Sequence, residues 1–562
     1  MSENRKSSKN AGRSRDAFAF QIKSDRMSTS VTLGRDTNQA LGIGQFAIDF
    51  LSGKLGPGPS QAVFDRTRLF HTDSVLCGLS ALALGTNAPT VLRNEALSYR
   101  TDDPSHGAFC FGSNQQVMAE KAIVANSAAV REWDSNGTNF GFRPQHGHTA
   151  GEFGHNDFYP VVIAACQQQG LDGATALKAM VLLDEIRGRL AEVFSLKTYK
   201  IDHVVHGAIA SAATYGALMG ATAEQIEGAI GMFVAHSIPW RAIRAGKQLS
   251  DSKGASAAIS TEAAILFMKR SLAGFRGPRD IFRNPEAIFR FFEPTTFETE
   301  RWKEQGDSPF DLILSHSGDD FAVMGMHFKL GLYEHQSAGA LQGMINLIVE
   351  NPQILSNGGE EIEKITIVAY EPAFGIIGNP MKKDPKTRQS ADHSMAYIVS
   401  TLLRKAIDAG TVSQGGKAND EAWKQLMLMP LDYQESEGAI FHPITRSLMQ
   451  RIEFLHGGPD YDAKYPDGIP TSLAIRLKDG QSFDSGFIMY PVGHARNTTA
   501  NLTDVLNHKF GLLANISHDP ESDTSAQSIV ERLQSIDQLD PHDLAGIYEF
   551  DIHFQPGYES VH

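Results

Sequence analysis

The stretch WDSNGTNFGFRPQHGHTAGEFGHNDFYP (133–160) places Asp134, Thr138, His146, His148, Glu152, His155 and Asp157 in one Gly-rich run. Long loops of this kind inside a folded domain carry function or are disordered, and the aromatic residues here argue for order. Two chemistries fit these residue types. His146, His148 and His155 could ligate a metal through imidazole nitrogen. Alternatively, a histidine titrating near neutral pH and positioned by a carboxylate could move protons. The same residues could also simply satisfy turns and helix caps.

A second concentration is PWRAIRAGKQLSDSKGASAAISTEAA (239–264), where Arg241, Arg244, Lys247 and Lys253 lie close together ahead of an Ala-rich helix. Cations joined to the free amides of a helix N-terminus make an anion site, although a solvated basic face would have the same composition. MHFKLGLYEHQSAGA (326–340) adds Lys329 and His335, ADHSMAYIVS (391–400) adds Tyr397, and YPVGHARN (490–497) ends a strand-like run. Taken singly, each of these three reads as packing or capping. GIG at 42–44 follows no strand and is not a dinucleotide fingerprint. DYDAKYPDG (460–468) lacks calcium-loop spacing.

The elements around these segments change character along the chain. From about 45 to 300, apolar residues recur at helical intervals, as in 62–84 and 172–194, and Thr222 with Gln225 forms a capping box. After about 320, segments 360–370, 450–456, 471–480 and 481–491 alternate like strands, with Asp-Gly in KDGQ as a hairpin turn. Helical signals return after about 500. The expected fold is mainly α: a large helical domain interrupted by a smaller α+β domain. The expected segments are an extension over 1–44, helical parts at 45–320 and 498–562, and an α+β lid over 321–497. The basic, Ser-rich start reads as a disordered tail, with a mitochondrial transit peptide as the alternative.

The 562 residues carry 51 Lys plus Arg against 65 Asp plus Glu, a net charge of −14, with no long basic block. That balance argues against nucleic acid or a membrane surface as partner. No apolar run reaches the ~18 residues of a membrane span. The three isolated cysteines, Cys77, Cys110 and Cys166, do not form a disulfide framework or a sulfur-ligated cluster and suit a reducing, cytoplasmic setting.

Taken together, WDSNGT, EFGHND, DHVVHGAIASAA, SDSKGASAA, the Lys329–His335 block, DHSMAYIV and YPVGHAR resemble the MmgE/PrpD family over roughly residues 45 to 520. The resemblance implies an all-helical domain with an α+β lid, a homodimer, and chemistry on a small polycarboxylate without metal or organic cofactor. It implies catalytic roles for Asp134, His155, His203 (with His206 as its rival) and His335. It implies substrate contacts from Thr138, Lys253, Lys329 and Tyr397, to which the cationic cluster adds Arg244 as a further carboxylate clamp. The implied reaction is dehydration of a 2-methylcitrate-like acid, with His155 and His335 moving protons and Asp134 orienting a histidine.

The chain departs from the family pattern in several places. D-S-N-G-T-N lacks the family's second Asp and its Trp, H-P-S has become H-N-D, and about a dozen extra residues including His146 and His148 precede His155. Decarboxylation, epimerisation or isomerisation of a polycarboxylate, and binding without catalysis, remain alternative readings.

Overall fold

The apolar periodicities become long helices. The computed structural model describes residues 28–244, 249–291, 306–555 and 557–559. Gln61–Ala83, Gly173–Val193 and Val204–Leu218 are helical and buried on nearly every side, as helices at the centre of a bundle must be. Thr222 and Gln225 form the reciprocal capping box that starts Ala223–His236. Gly207 lets Val204–Leu218 press on Phe158, whose ring a Cβ would strike, and this fixes the loop immediately after His155. Among the described residues no single helix is long and apolar enough to cross a membrane.

The smaller part is built on a four-stranded mixed sheet in the order Ser482–Asp484, Thr471–Leu477, Ile362–Ala369, Ile452–His456. Thr471–Leu477 runs antiparallel to both of its neighbours, Ser482–Asp484 and Ile362–Ala369, with Thr366 opposite Ala474. Ile362–Ala369 pairs in parallel with Ile452–His456, Ile365 facing Ile452. Gly480 supplies the positive φ of the KDGQ turn, at +91°. Helix Ala338–Glu350 covers the sheet, and Gly339 and Gly343 allow it to lie directly on Thr471, Leu473 and Ser485. The fold is therefore mainly α with a smaller α+β part.

Ordered structure begins before residue 45, earlier than the sequence suggests. Ser30–Leu33 pairs antiparallel with Leu312–Ser315, and helix Gln39–Leu51 follows. Four residues are too few for a convincing periodicity, and the partner strand lies about 280 positions away. Residues 1–27, read as a tail, and Lys247 lie outside the described residues.

The last helical segment returns to the first domain. Leu502–Ser517 packs on Gln61–Ala83, where Lys509 and Asp73 form a fully buried ion pair at 2.6 Å. The Lys509 ammonium also donates to the carbonyls of Ser135 and Lys329, each at 2.8 Å. A second buried cation, Arg388, joins the two parts. It pairs with Glu132, lies 3.5 Å from Asp392 and 2.9 Å from Glu559, and rests on the Trp133 ring.

Candidate functional site

Helix Ala119–Arg131 delivers Arg131 to the site and then stops. Three residues later Asp134 adopts φ +42°, a conformation that turns its carboxylate back toward the helix end. Ser135 donates to the Gly331 carbonyl at 2.7 Å, tying this turn to the segment that carries Lys329. The chain then forms a short ribbon in which Thr138 pairs with His155 and Asn139 with Gly154. Thr138 also exchanges backbone hydrogen bonds with His327, at 3.0 and 2.7 Å. The extra residues between 139 and 154 are thus the loop of a hairpin whose stem holds His155 beside Thr138.

These elements border a cleft of ≈ 590 Å³. Asp134, Thr138, His155, His203, Arg244 and Lys253 line it from the helical domain. Arg241, from the same cationic cluster as Arg244 and Lys253, lines it too, as do Arg131, Glu334, Lys382 and His393, to which the sequence alone gives no role. His203 stands at the N-cap of Val204–Leu218, and Lys253 lies in the first turn of Asp251–Leu272. Both helix ends bring positive potential to the cleft.

Asp134 is the hub. Its carboxylate receives Arg131 at 2.7 Å, pairs with Lys329, and lies 3.5 Å from Lys253 and 3.1 Å from His393. Burial alone would raise its pKa, but Arg131, Lys329 and Lys253 outweigh burial and hold the carboxyl well below the usual range. His393 bridges onward to Asp392 at 2.6 Å. Asp134, Asp392 and His393 could together hold a cation. Their oxygens already face Arg131, Lys253 and Lys329, so a divalent ion would have to displace a lysine or arginine.

The histidines divide into two groups. His155 and His203 face each other with ring centroids 5.3 Å apart. Burial, reinforced by Arg131 near His155 and by Arg244 near His203, drives both well below the usual imidazole value, so both are neutral at pH 7. His155 Nε2 lies 3.3 Å from the Arg131 guanidinium, and neither ring nitrogen of His203 has a hydrogen-bond partner. Glu334 lines the same cleft, and its carboxyl is pushed up to about 7 by burial and by the charge of Asp134.

His335 does not border this cleft. It is fully buried, stacked on His327 at 5.1 Å and beside Phe140 at 5.6 Å. The expected His155–His335 pair is replaced by His155–His203, because the turn at Glu334 directs the glutamate and not the histidine outward. Asp134 orients His393 and touches neither His155 nor His203 within ion-pair distance. Lys329 sits behind the lining, committed to Asp134. His206, the rival to His203, bonds the Phe194 carbonyl at 3.0 Å and packs in the core.

Tyr397 also lies elsewhere. It is fully buried in helix Met395–Ala409, donates its hydroxyl to the Asp432 carbonyl and packs on Tyr433. Two residues of helix past Ser394 turn it away from the cleft that His393 borders. Tyr397→Phe should therefore leave KM within about twofold of wild type while costing ~1 kcal/mol of stability. Steady-state kinetics and urea unfolding read the two effects separately. His146 and His148 border a different, open groove with Arg35 and Asp311, so they do not join His155 in a three-histidine site.

Comparison with known proteins agrees with this architecture. Residues 53–300 match the MmgE/PrpD N-terminal domain, and residues 334–535 match the MmgE/PrpD C-terminal domain. The chain is 22% identical over 455 residues to 2-methylcitrate dehydratase of Escherichia coli K12, covering 78% of this chain and 83% of that protein. It is 24% identical over 459 residues to 2-methylcitrate dehydratase of Salmonella typhi, with the same coverage of 78% and 83%. It is 24% identical over 477 residues to mitochondrial 2-methylcitrate dehydratase of Yarrowia lipolytica, covering 80% of each. With both domain models matched in order over most of its length, the chain belongs to the MmgE/PrpD family.

Proposed function

We propose that this protein is a hydro-lyase that removes water from a 2-methylcitrate-like tricarboxylic acid without metal or organic cofactor. One observation carries the reading: two neutral imidazoles, His155 and His203, face a cleft whose other walls supply cations and a protonatable carboxyl. Dehydration breaks a C–H bond next to a carboxylate and a C–O bond on the neighbouring carbon, and forms the alkene. A neutral imidazole is competent to take the proton, whereas an imidazolium is not. His203, with both ring nitrogens unpartnered, has a lone pair to offer. His155 accepts from Arg131 at Nε2, so its own proton sits on Nδ1, from which it passes to the departing hydroxyl as water forms. Glu334 carries a proton near neutrality and restores the one that His155 gives up. Lys253, pushed down to about 8 by burial, sits at the cleft floor to meet substrate carboxylate.

The test is incubation of chelator-treated protein with 2-methylcitrate, citrate and cis-aconitate, following alkene absorbance and carbon dioxide together. The expected result is absorbance growth with 2-methylcitrate and no gas. Carbon dioxide release would move the reaction to decarboxylation. Loss of turnover on chelation, restored by a divalent ion, would return the chemistry to a metal.

A further inference from the structure

The cations of the cleft are not equivalent. Arg131 is compensated by Asp134 at 2.7 Å and Asp157 at 3.8 Å. Lys253 lies between Asp134 at 3.5 Å and Asp392 at 3.6 Å, and Arg244 is paired with Asp202. Lys329 is paired with Asp134. Arg241 and Lys382 differ: among the described residues, neither has a carboxylate oxygen within 4.0 Å. Arg241 also has a buried guanidinium nitrogen, Nη1, with no hydrogen-bond partner. The two residues line the same cleft from distant parts of the chain. Arg241 belongs to the turn Arg241–Arg244 that precedes the Lys253 helix, and Lys382 belongs to the lid turn Pro380–Lys382.

We propose that Arg241 and Lys382 form a carboxylate subsite that bridges the two domains and selects substrates bearing a carboxylate remote from the reacting carbon. This inference deepens the hydro-lyase reading and relies on it for the class of ligand. A partly buried cation without a counter-ion is unfavourable, and an anion that supplies one is drawn to it ahead of cations already neutralised. The inner cations Arg131, Lys253 and Arg244 already share their charge with Asp134, Asp157, Asp392 and Asp202, so a substrate carboxylate that meets them gains less. The free charge lies at Arg241 and Lys382, so a polyanion gains most by reaching them. The arginine presents a planar fork suited to bidentate carboxylate recognition, and the lysine presents a point charge that can follow the lid. Burial lowers the pKa of Lys382, and a bound carboxylate would restore it. Because one member is on the lid, occupancy of the subsite also draws the lid toward the helical domain.

The experiment compares binding of tricarballylate and of glutarate, which lacks the third carboxylate, by calorimetry. The proteins are wild type, Arg241→Gln, Arg241→Lys and Lys382→Gln, each checked for an unchanged urea midpoint. Wild type should bind the tricarboxylate at least ~10-fold more tightly, the equivalent of about 1.4 kcal/mol. Both Gln variants should lose most of that preference while their glutarate affinity changes less than ~3-fold, and Arg241→Lys should recover part of it. Equal weakening toward both ligands would mark a structural role and overturn the subsite. Retained preference in the Gln variants, or no preference in wild type, would also overturn it. Turnover of 2-methylcitrate by wild type is measured beside these. If turnover is absent but the preference is lost in the variants, the reaction falls and the subsite stands. If turnover is present with the preference intact in the variants, the subsite falls and the reaction stands.

Discussion

His155→Ala should lower kcat for dehydration by at least about 100-fold, within the 10²–10⁴ range of a positioned acid–base group. KM should move little, because the cationic lining of the cleft is untouched. The stem of the hairpin supports this separation. Thr138 and His155 are paired through their backbones, and the Thr138 hydroxyl bonds the Gly154 carbonyl at 2.9 Å. Removing the imidazole therefore leaves the ribbon in place, and the urea midpoint should show it. The substitution also frees the Arg131 guanidinium that faces Nε2, yet Arg131 keeps Asp134 as its partner. Near-normal turnover in a folded His155→Ala protein would remove this residue from the chemistry. A large rise in KM with kcat preserved would reassign it to binding.

What the sequence reveals and what it hides follow from the range of the signal. Asp134, Thr138 and His155 fall within one loop, and His203 and Lys253 sit at helix starts with recognisable Gly/Ala-rich continuations. Local spacing therefore suffices to group them. Arg131 escapes notice because it reads as the ordinary basic residue in a last helical turn, whereas in the fold it is fully buried against Asp134. His393 lies in a segment chosen for Tyr397, and the direction of a helix start cannot be read without its packing partners. Lys382 looks like part of a solvated run, MKKDPK, until the lid places it over the cleft. The KDGQ hairpin is legible because its partners are adjacent. The parallel pairing of Ile362–Ala369 with Ile452–His456 is not, because it joins segments separated by most of the lid. His335 fails for the same reason as Tyr397: one residue of offset at Glu334 decides which side chain reaches the cleft.

Asp134→Asn should destabilise the fold by about 3–5 kcal/mol, the penalty for leaving buried charge uncompensated. Asparagine can keep the left-handed backbone at φ +42° and the side-chain shape, so the loss reports charge and not strain. Three cations depend on this carboxylate, and all three, Arg131, Lys253 and Lys329, are enclosed with it. The sign of the pH dependence follows from the direction of the shift. The folded carboxyl titrates well below its ordinary 3.8, because Arg131, Lys329 and Lys253 overcome the opposing effect of burial. Its stabilising contribution is therefore complete above the unfolded pKa and is lost as pH falls through the depressed folded value. The gap in urea midpoint between wild type and Asp134→Asn should accordingly be equal at pH 7 and about pH 5. It should persist near about pH 4, where an ordinary aspartate is half protonated, and close only at lower pH. A gap that is small at pH 7 and already closed just below about pH 4 would mean a carboxyl little shifted, and with it a loose grouping of the cations around Asp134. A gap that remains open through the depressed value would place the effect in the backbone turn. An equal urea midpoint at pH 7 would show that Lys253 and Lys329 tolerate burial without Asp134, and the electrostatic hub of the cleft would lie elsewhere.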